Sequence, residues 1–253
     1  MVKKADEKRS KLKIALMVAS LSLWTMIGFY LGQYLIVGVF WLIIQLGVDF
    51  SGLNEALFNS VVAAVCYVAA LAIVIGGPWL IAARRTSKSE VGLQRLPLWV
   101  ELGAAPVGFV IYFVTSAIAM AVVMSLVPGF DADQVQEIGF SNLVHGYEYI
   151  LAFLTLVIIA PIAEEMIFRG YLYGKLKKRI PWWGAAVITS VLFGLAHGQW
   201  NVAVDTFVLG MFLSLLREVT GSLWPAIFLH MIKNGTAYYF LFVNPDIINT
   251  LGG

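Results

Sequence analysis

Charge is scarce in this chain: Asp, Glu, Lys and Arg make up 13% of 253 residues against 60% hydrophobic residues, and the net charge is only +2. With a mean hydropathy of +0.85, that balance excludes an ordinary soluble globule and describes a protein whose apolar surface faces lipid. So few charges assemble no basic surface for nucleic acid. Cysteine is nearly absent as well. Cys66 stands alone in an apolar run, so it forms no intrachain disulfide, says nothing of the redox compartment and reads as a small buried hydrophobe. Positive charge is missing from two whole loops, around Asp49 and from Pro128 to His145. Internal repeats and low-complexity segments are also missing.

What is present is a succession of long apolar runs. A basic tail with Lys3, Lys4, Lys8, Arg9, Lys11 and Lys13 precedes a run from Ile14 to about Leu46. That run is too long for the apolar core of a cleavable signal and predicts an uncleaved, tilted span. Its Gly28-x-x-x-Gly32 spacing suits close helix packing. Further spans are expected at about 56–81, 100–127, 146–173, 181–197, 201–216 and 223–243. The segment from Glu90 to Trp99 is expected at the membrane interface, and 128–145, with Asp131, Asp133 and Glu137, as a short amphipathic surface helix. With the N-terminus in the cytoplasm, every loop Lys and Arg falls on the cytoplasmic side, leaving only Arg169 and Lys233 within spans. The expected fold is thus an all-α polytopic bundle of about seven to eight spans. Its working core is expected in residues 89–253, behind an N-terminal extension of 1–88.

The fourth run contains Ala160-Pro161-Ile162-Ala163-Glu164-Glu165-Met166-Ile167-Phe168-Arg169-Gly170. A charged side chain near the middle of a spanning helix costs roughly 2.5 to 3.5 kcal/mol, so three in six residues require compensation. Glu165 and Arg169, four apart, share a helical face and can pair; Glu164 points about 100° away and keeps its carboxylate for chemistry. Later spans add His197, and His230 with Asn234 four residues on. At about 1.5 Å per residue all four groups fall near middle depth: about 16 Å for Glu164, 24 Å for His197, and 12 and 18 Å for His230 and Asn234 from their nearest cytoplasmic ends.

A carboxylate, two imidazoles and an amide at one buried level suit hydrolysis by two routes. Glu164, His197 and His230 are the two-His-one-Glu set of an open Zn²⁺ site. Alternatively, without metal, Glu164 takes a proton from a water oriented by His197, while His230 and Asn234 donate to the oxyanion. In both, Glu165 and Arg169 fix the helix face and balance charge, and Phe193 shapes the pocket.

These residues resemble a known family. Glu164-Glu165-x-x-x-Arg169, Phe193-x-x-x-His197 and His230-x-x-x-Asn234, in that order on successive membrane helices, are similar to the motifs of the CPBP intramembrane proteases, which include the type II CAAX prenyl endopeptidases and bacteriocin-processing or immunity proteins. The Thr220-Gly221-Ser222-Leu223-Trp224 lead-in is also similar, and the resemblance runs over roughly 89–234. It implies peptide-bond hydrolysis within the membrane, with Glu164 and His197 activating water and His230 and Asn234 stabilising the oxyanion. The implied partner is a membrane-embedded or lipid-attached protein or peptide, reaching the site laterally or from the cytoplasmic face of a prokaryotic cell membrane. The resemblance leaves both metal-dependent and metal-free chemistry open, and does not fix the substrate.

Plainer readings stand beside these. The Glu-Glu-Arg cluster alone would be a structural ion pair, and either histidine alone a satisfied buried side chain. His145 reads as an interfacial anchor, and Asp205, one turn into its span, as a group wetted from outside. A GxSG serine pattern, a GxGD aspartyl pattern and HExxH are absent, and Asn244-Pro245-Asp246 only weakly matches a site-2 protease signature. A transporter would show a polar path and a repeat; a non-catalytic scaffold or immunity protein of the same fold would keep the architecture without the reaction.

Overall fold

The computed structural model describes residues 2–132, 134, 139–140 and 143–246, with side chains from residue 9 onward. Among the described residues there are helices and turns and no strand. Helix α1 is Val2–Gln45, α2 is Glu55–Ala82, α3 the short Lys88–Val91 and α4 Trp99–Leu126. Helix α5 is Gly146–Leu176, α6 Trp182–Leu195, α7 Trp200–Thr220 and α8 Trp224–Tyr238, prolonged by a π-helical turn, Tyr239–Val243. Helices α1, α2, α4 and α5 are long and apolar enough to cross a membrane, α6 is a shorter apolar helix, and α6 to α8 pack among them. The molecule is a polytopic helical bundle.

The seven expected runs coincide with these helices, because each is bounded by charge, Gly or Pro that the bilayer or the helix rejects. One difference concerns the N-terminus, where the basic tail and the first span form one continuous helix. Another concerns 128–145. Asp133 and Glu137 of the expected surface helix lie outside the described residues, and the described parts of that segment are non-helical.

Glycine sets the closest approaches. A Cβ on Gly32 would lie 2.5 Å from the backbone nitrogen of Ala70, and one on Gly28 would lie 2.8 Å from Val74. The Gly28-x-x-x-Gly32 stripe is therefore the seam between α1 and α2. On the side of the basic loops, α3 starts in a capping box formed by Ser87 and Glu90. The segment after it is fastened to the α7–α8 turn: Leu223 N–H donates to the Gly92 carbonyl at 2.9 Å and Trp224 Nε1 to the Arg95 carbonyl at 2.8 Å. Arg95 in turn grips Glu101 with both nitrogens, at 2.8 and 2.7 Å. The segment 90–99, expected at the interface, is thus a clasp across the bundle.

Candidate active site

Helix α5 carries the carboxylates, and its backbone is unusual around them. Two π-helical stretches, Leu154–Ile159 and Met166–Leu172, flank the α-helical turn Ala160–Glu165. In the first, the N–H of Ala160 bonds the carbonyl of Thr155, five residues back. In that register the donor for the Leu156 carbonyl would be residue 161, which is Pro161 and has no N–H. Asn234 Nδ2 donates to that carbonyl instead, at 2.9 Å. Proline and a wide turn thereby open a backbone acceptor that fixes α8 against α5.

Glu165 and Arg169 pair at 2.9 Å, as their spacing requires, and both are fully buried. The same Glu165 oxygen holds His230 Nδ1 at 3.0 Å. The Arg169 guanidinium lies 4.2 Å above the ring of Phe193, a cation–π contact that offsets part of its burial. Phe193 is also the wall on which both imidazoles rest, His197 at 4.9 Å and His230 at 5.7 Å, each edge-on. It is therefore the hub of the cluster.

Glu164 points the other way. Its Oε1 accepts a 2.6 Å hydrogen bond from Tyr67, and its Oε2 lies 3.8 Å from His230 Nε2. His197 Nδ1 faces the Phe193 carbonyl at 2.8 Å; since a carbonyl only accepts, Nδ1 is the donor, which in a neutral ring leaves Nε2 as the lone-pair nitrogen. Glu164, His197, His230 and Asn234 all line one cavity of about 220 Å³. Lys233 lines it as well, paired with Asp205 at 3.6 Å.

Asp205 is tied into the bundle rather than simply wetted, since it accepts from Tyr112 at 2.6 Å and Ser116 at 2.5 Å. His145 is the N-terminal flank of α5, its ring stacked on Tyr147 at 5.6 Å. From Glu164 the cavity extends past Leu156, Val202, Tyr238 and Phe242.

As placed here, no three His, Cys, Asp or Glu side chains among the described residues converge closely enough to hold a metal ion. The donor chemistry of Glu164, His197 and His230 suits Zn²⁺, but their arrangement is not a closed ligand set. Tyr67 was not legible beforehand: it lies 97 residues from Glu164, in the stretch read as an N-terminal extension, and one tyrosine in an apolar run gives no local signal.

Fold and site define a polytopic helical membrane protein with a carboxylate–imidazole cluster sunk in the bundle. Residues 145–236, just over a third of the chain, match the family model of the type II CAAX prenyl endopeptidase Rce1-like proteins. Every expected site residue lies in that segment. An uncharacterized 24.3 kDa protein of Escherichia coli is 37% identical over 89 residues, 33% of this chain and 41% of that protein. The membrane-embedded CAAX protease MroQ of Staphylococcus aureus (strain USA300) is 30% identical over 97 residues, 36% of this chain and 39% of that protein. The chain thus matches about two fifths of the length of these relatives. No solved structure matches it.

Proposed function

We propose that the protein is an intramembrane endopeptidase that hydrolyses a peptide bond of a membrane-embedded or lipid-attached substrate. The observation that carries this reading is the division of labour between adjacent carboxylates. Glu165 is spent on Arg169 and His230, while Glu164 keeps one oxygen directed at His230 in a cavity that also presents His197 and Asn234.

In this reading Glu164 takes the proton of the attacking water, whose second hydrogen is held by His197 Nε2. The water oxygen adds to the scissile carbonyl, and the proton on Glu164 passes to the departing amine. His230, flanked by two carboxylates, donates from Nε2 to the oxyanion together with the free N–H of the Asn234 amide. Tyr67 holds Glu164 in place. The substrate arrives from the end of the cavity near Tyr238 and Phe242. The basic residues of the tail, the 84–95 loop, the 175–179 loop and Arg217 support a cytoplasmic N-terminus.

The test is to compare new protein N- and C-termini in membranes containing the wild type, Glu164→Ala or His230→Ala at matched expression. Termini lost in both variants support proteolysis and name the substrate; identical profiles overturn it in favour of a scaffold or transporter. Activity of the purified protein is expected to survive a zinc chelator. Loss that added Zn²⁺ restores would instead assign Glu164, His197 and His230 as metal ligands.

A further inference from the structure

A second and larger cleft, of about 520 Å³, lies at the opposite end of the bundle, between α1, the end of α2, α3 and the end of α5. Its inner wall is the α1 stripe Met17, Leu21 and Trp24. Met17 is one turn beyond the last lysine of the basic tail, and Trp24 is about 10 Å further along the axis. The cleft therefore starts at headgroup level and continues into the hydrocarbon layer. Exposed Trp182 and Trp183, at the start of α6, mark the same interface.

Its rim is basic. Arg84, Lys175, Lys178 and Arg179 line it, with Glu90 as the single acid. Lys178 is held by Glu90 at 2.6 Å, and Lys175 Nζ lies 5.0 Å over the Tyr171 ring. Among the described residues Arg84 and Arg179 make no ion pair. Uncompensated cations above an apolar slot call for an anion with an apolar tail. A soluble phosphate would leave the slot bare, and a choline headgroup would bring another cation to the rim.

We infer that this cleft binds an anionic glycerophospholipid of the adjoining leaflet, its phosphodiester between Arg84 and Arg179 and one acyl chain along Met17, Leu21 and Trp24. The site is separate from the Glu164 cavity and does not depend on what that cavity does.

The test is native mass spectrometry of the full-length protein in detergent, titrated with dioleoylphosphatidylglycerol or dioleoylphosphatidylcholine. Phosphatidylglycerol is expected to bind at least about tenfold tighter. Arg84→Ala/Arg179→Ala should weaken it about 30-fold, the worth of two interfacial cations. Arg85→Ala/Lys88→Ala, which removes two charges from the same connection outside the cleft, should leave it unchanged. Ala82→Trp, which fills the cleft without touching charge, should reduce binding too, and decides the matter if the double arginine variant does not fold. Equal affinity for the two lipids, equal weakening by both double variants, undiminished binding to Ala82→Trp, or displacement by millimolar inorganic phosphate would each overturn the assignment.

Discussion

At the residue scale the proposed reaction gives two adjacent carboxylates different work, Glu165 holding the cluster and Glu164 taking the proton, and the two should fail differently. Glu165→Gln removes the negative charge that Arg169 and His230 share in a fully buried setting. Breaking such a pair costs about 3 to 5 kcal/mol, so the expected outcome is a large fall in melting temperature along with lost activity. Glu164→Gln should leave the melting temperature within a few degrees of wild type and lower turnover about 10²- to 10⁴-fold. Tyr67→Phe is the finer probe. It takes one hydrogen bond from Glu164 and leaves the ring in place, so kcat should fall about tenfold with KM unchanged, because the carboxylate is less well held. A changed KM with unchanged kcat would move Tyr67 from positioning the base to binding substrate.

What the sequence made legible follows the range of each interaction. The Glu165–Arg169 pair was readable because spacing on one helix determines which side chains meet, and the spans were readable because the bilayer punishes charge wherever it interrupts them. Matched depth brought His197, His230 and Asn234 to the same cavity, but could not say that Asn234 would be half spent on the Leu156 carbonyl. Tyr67, and the link from Lys233 through Asp205 to Tyr112 and Ser116, join different helices. No periodicity within one segment records such contacts.

At the element scale, α5 is held where it is by the lack of side chains on its neighbours. A Cβ on Gly210 of α7 would lie 2.6 Å from Arg169 Nη2 and 2.7 Å from Ser190 Oγ. Gly210→Ala should therefore push α7 off α5 and cost about 1 to 3 kcal/mol, read as a lower melting temperature, whereas Gly38→Ala on α1, where a Cβ meets nothing, should not. The α3 clasp adds a pH-dependent contribution. The Lys178 ammonium that bonds Glu90 holds its carboxyl below the usual range, aided by the Ser87 N–H at the helix cap and by the charge of Lys175. A depressed folded pKa gives stability that is present above the unfolded value and lost as pH falls through the folded one. The melting-temperature gap between wild type and Glu90→Gln should accordingly be full near neutrality and close on acidification below about pH 4. A gap that stayed constant would mean Glu90 acts through packing alone.

At the scale of the whole molecule, α1 and α2 form part of the site's support although the segment that matches the family model begins only at residue 145. Helix α2 supplies Tyr67 to Glu164. Helix α1 supplies Phe29, whose ring meets Phe168 edge-on at 5.6 Å; Phe168 meets Phe193 at 5.1 Å, and Phe193 carries both imidazoles. The Gly28–Gly32 seam keeps α1 and α2 together as one unit. Residues 89–253 expressed alone should thus lack both the tyrosine that bonds Glu164 and the ring that backs the aromatic stack. They are expected to insert, to melt lower and to turn over little or no substrate. Co-expression of residues 1–88 should restore both stability and turnover, since two helices with their own seam can dock in the membrane without a covalent link. The same co-expression with Tyr67→Phe should restore the melting temperature but leave turnover about tenfold down, which separates scaffolding by α1 and α2 from the contribution of one hydroxyl. Full activity of 89–253 alone would show instead that these two helices are an appendage, with the Glu164 geometry sustained entirely from α5, α6 and α8.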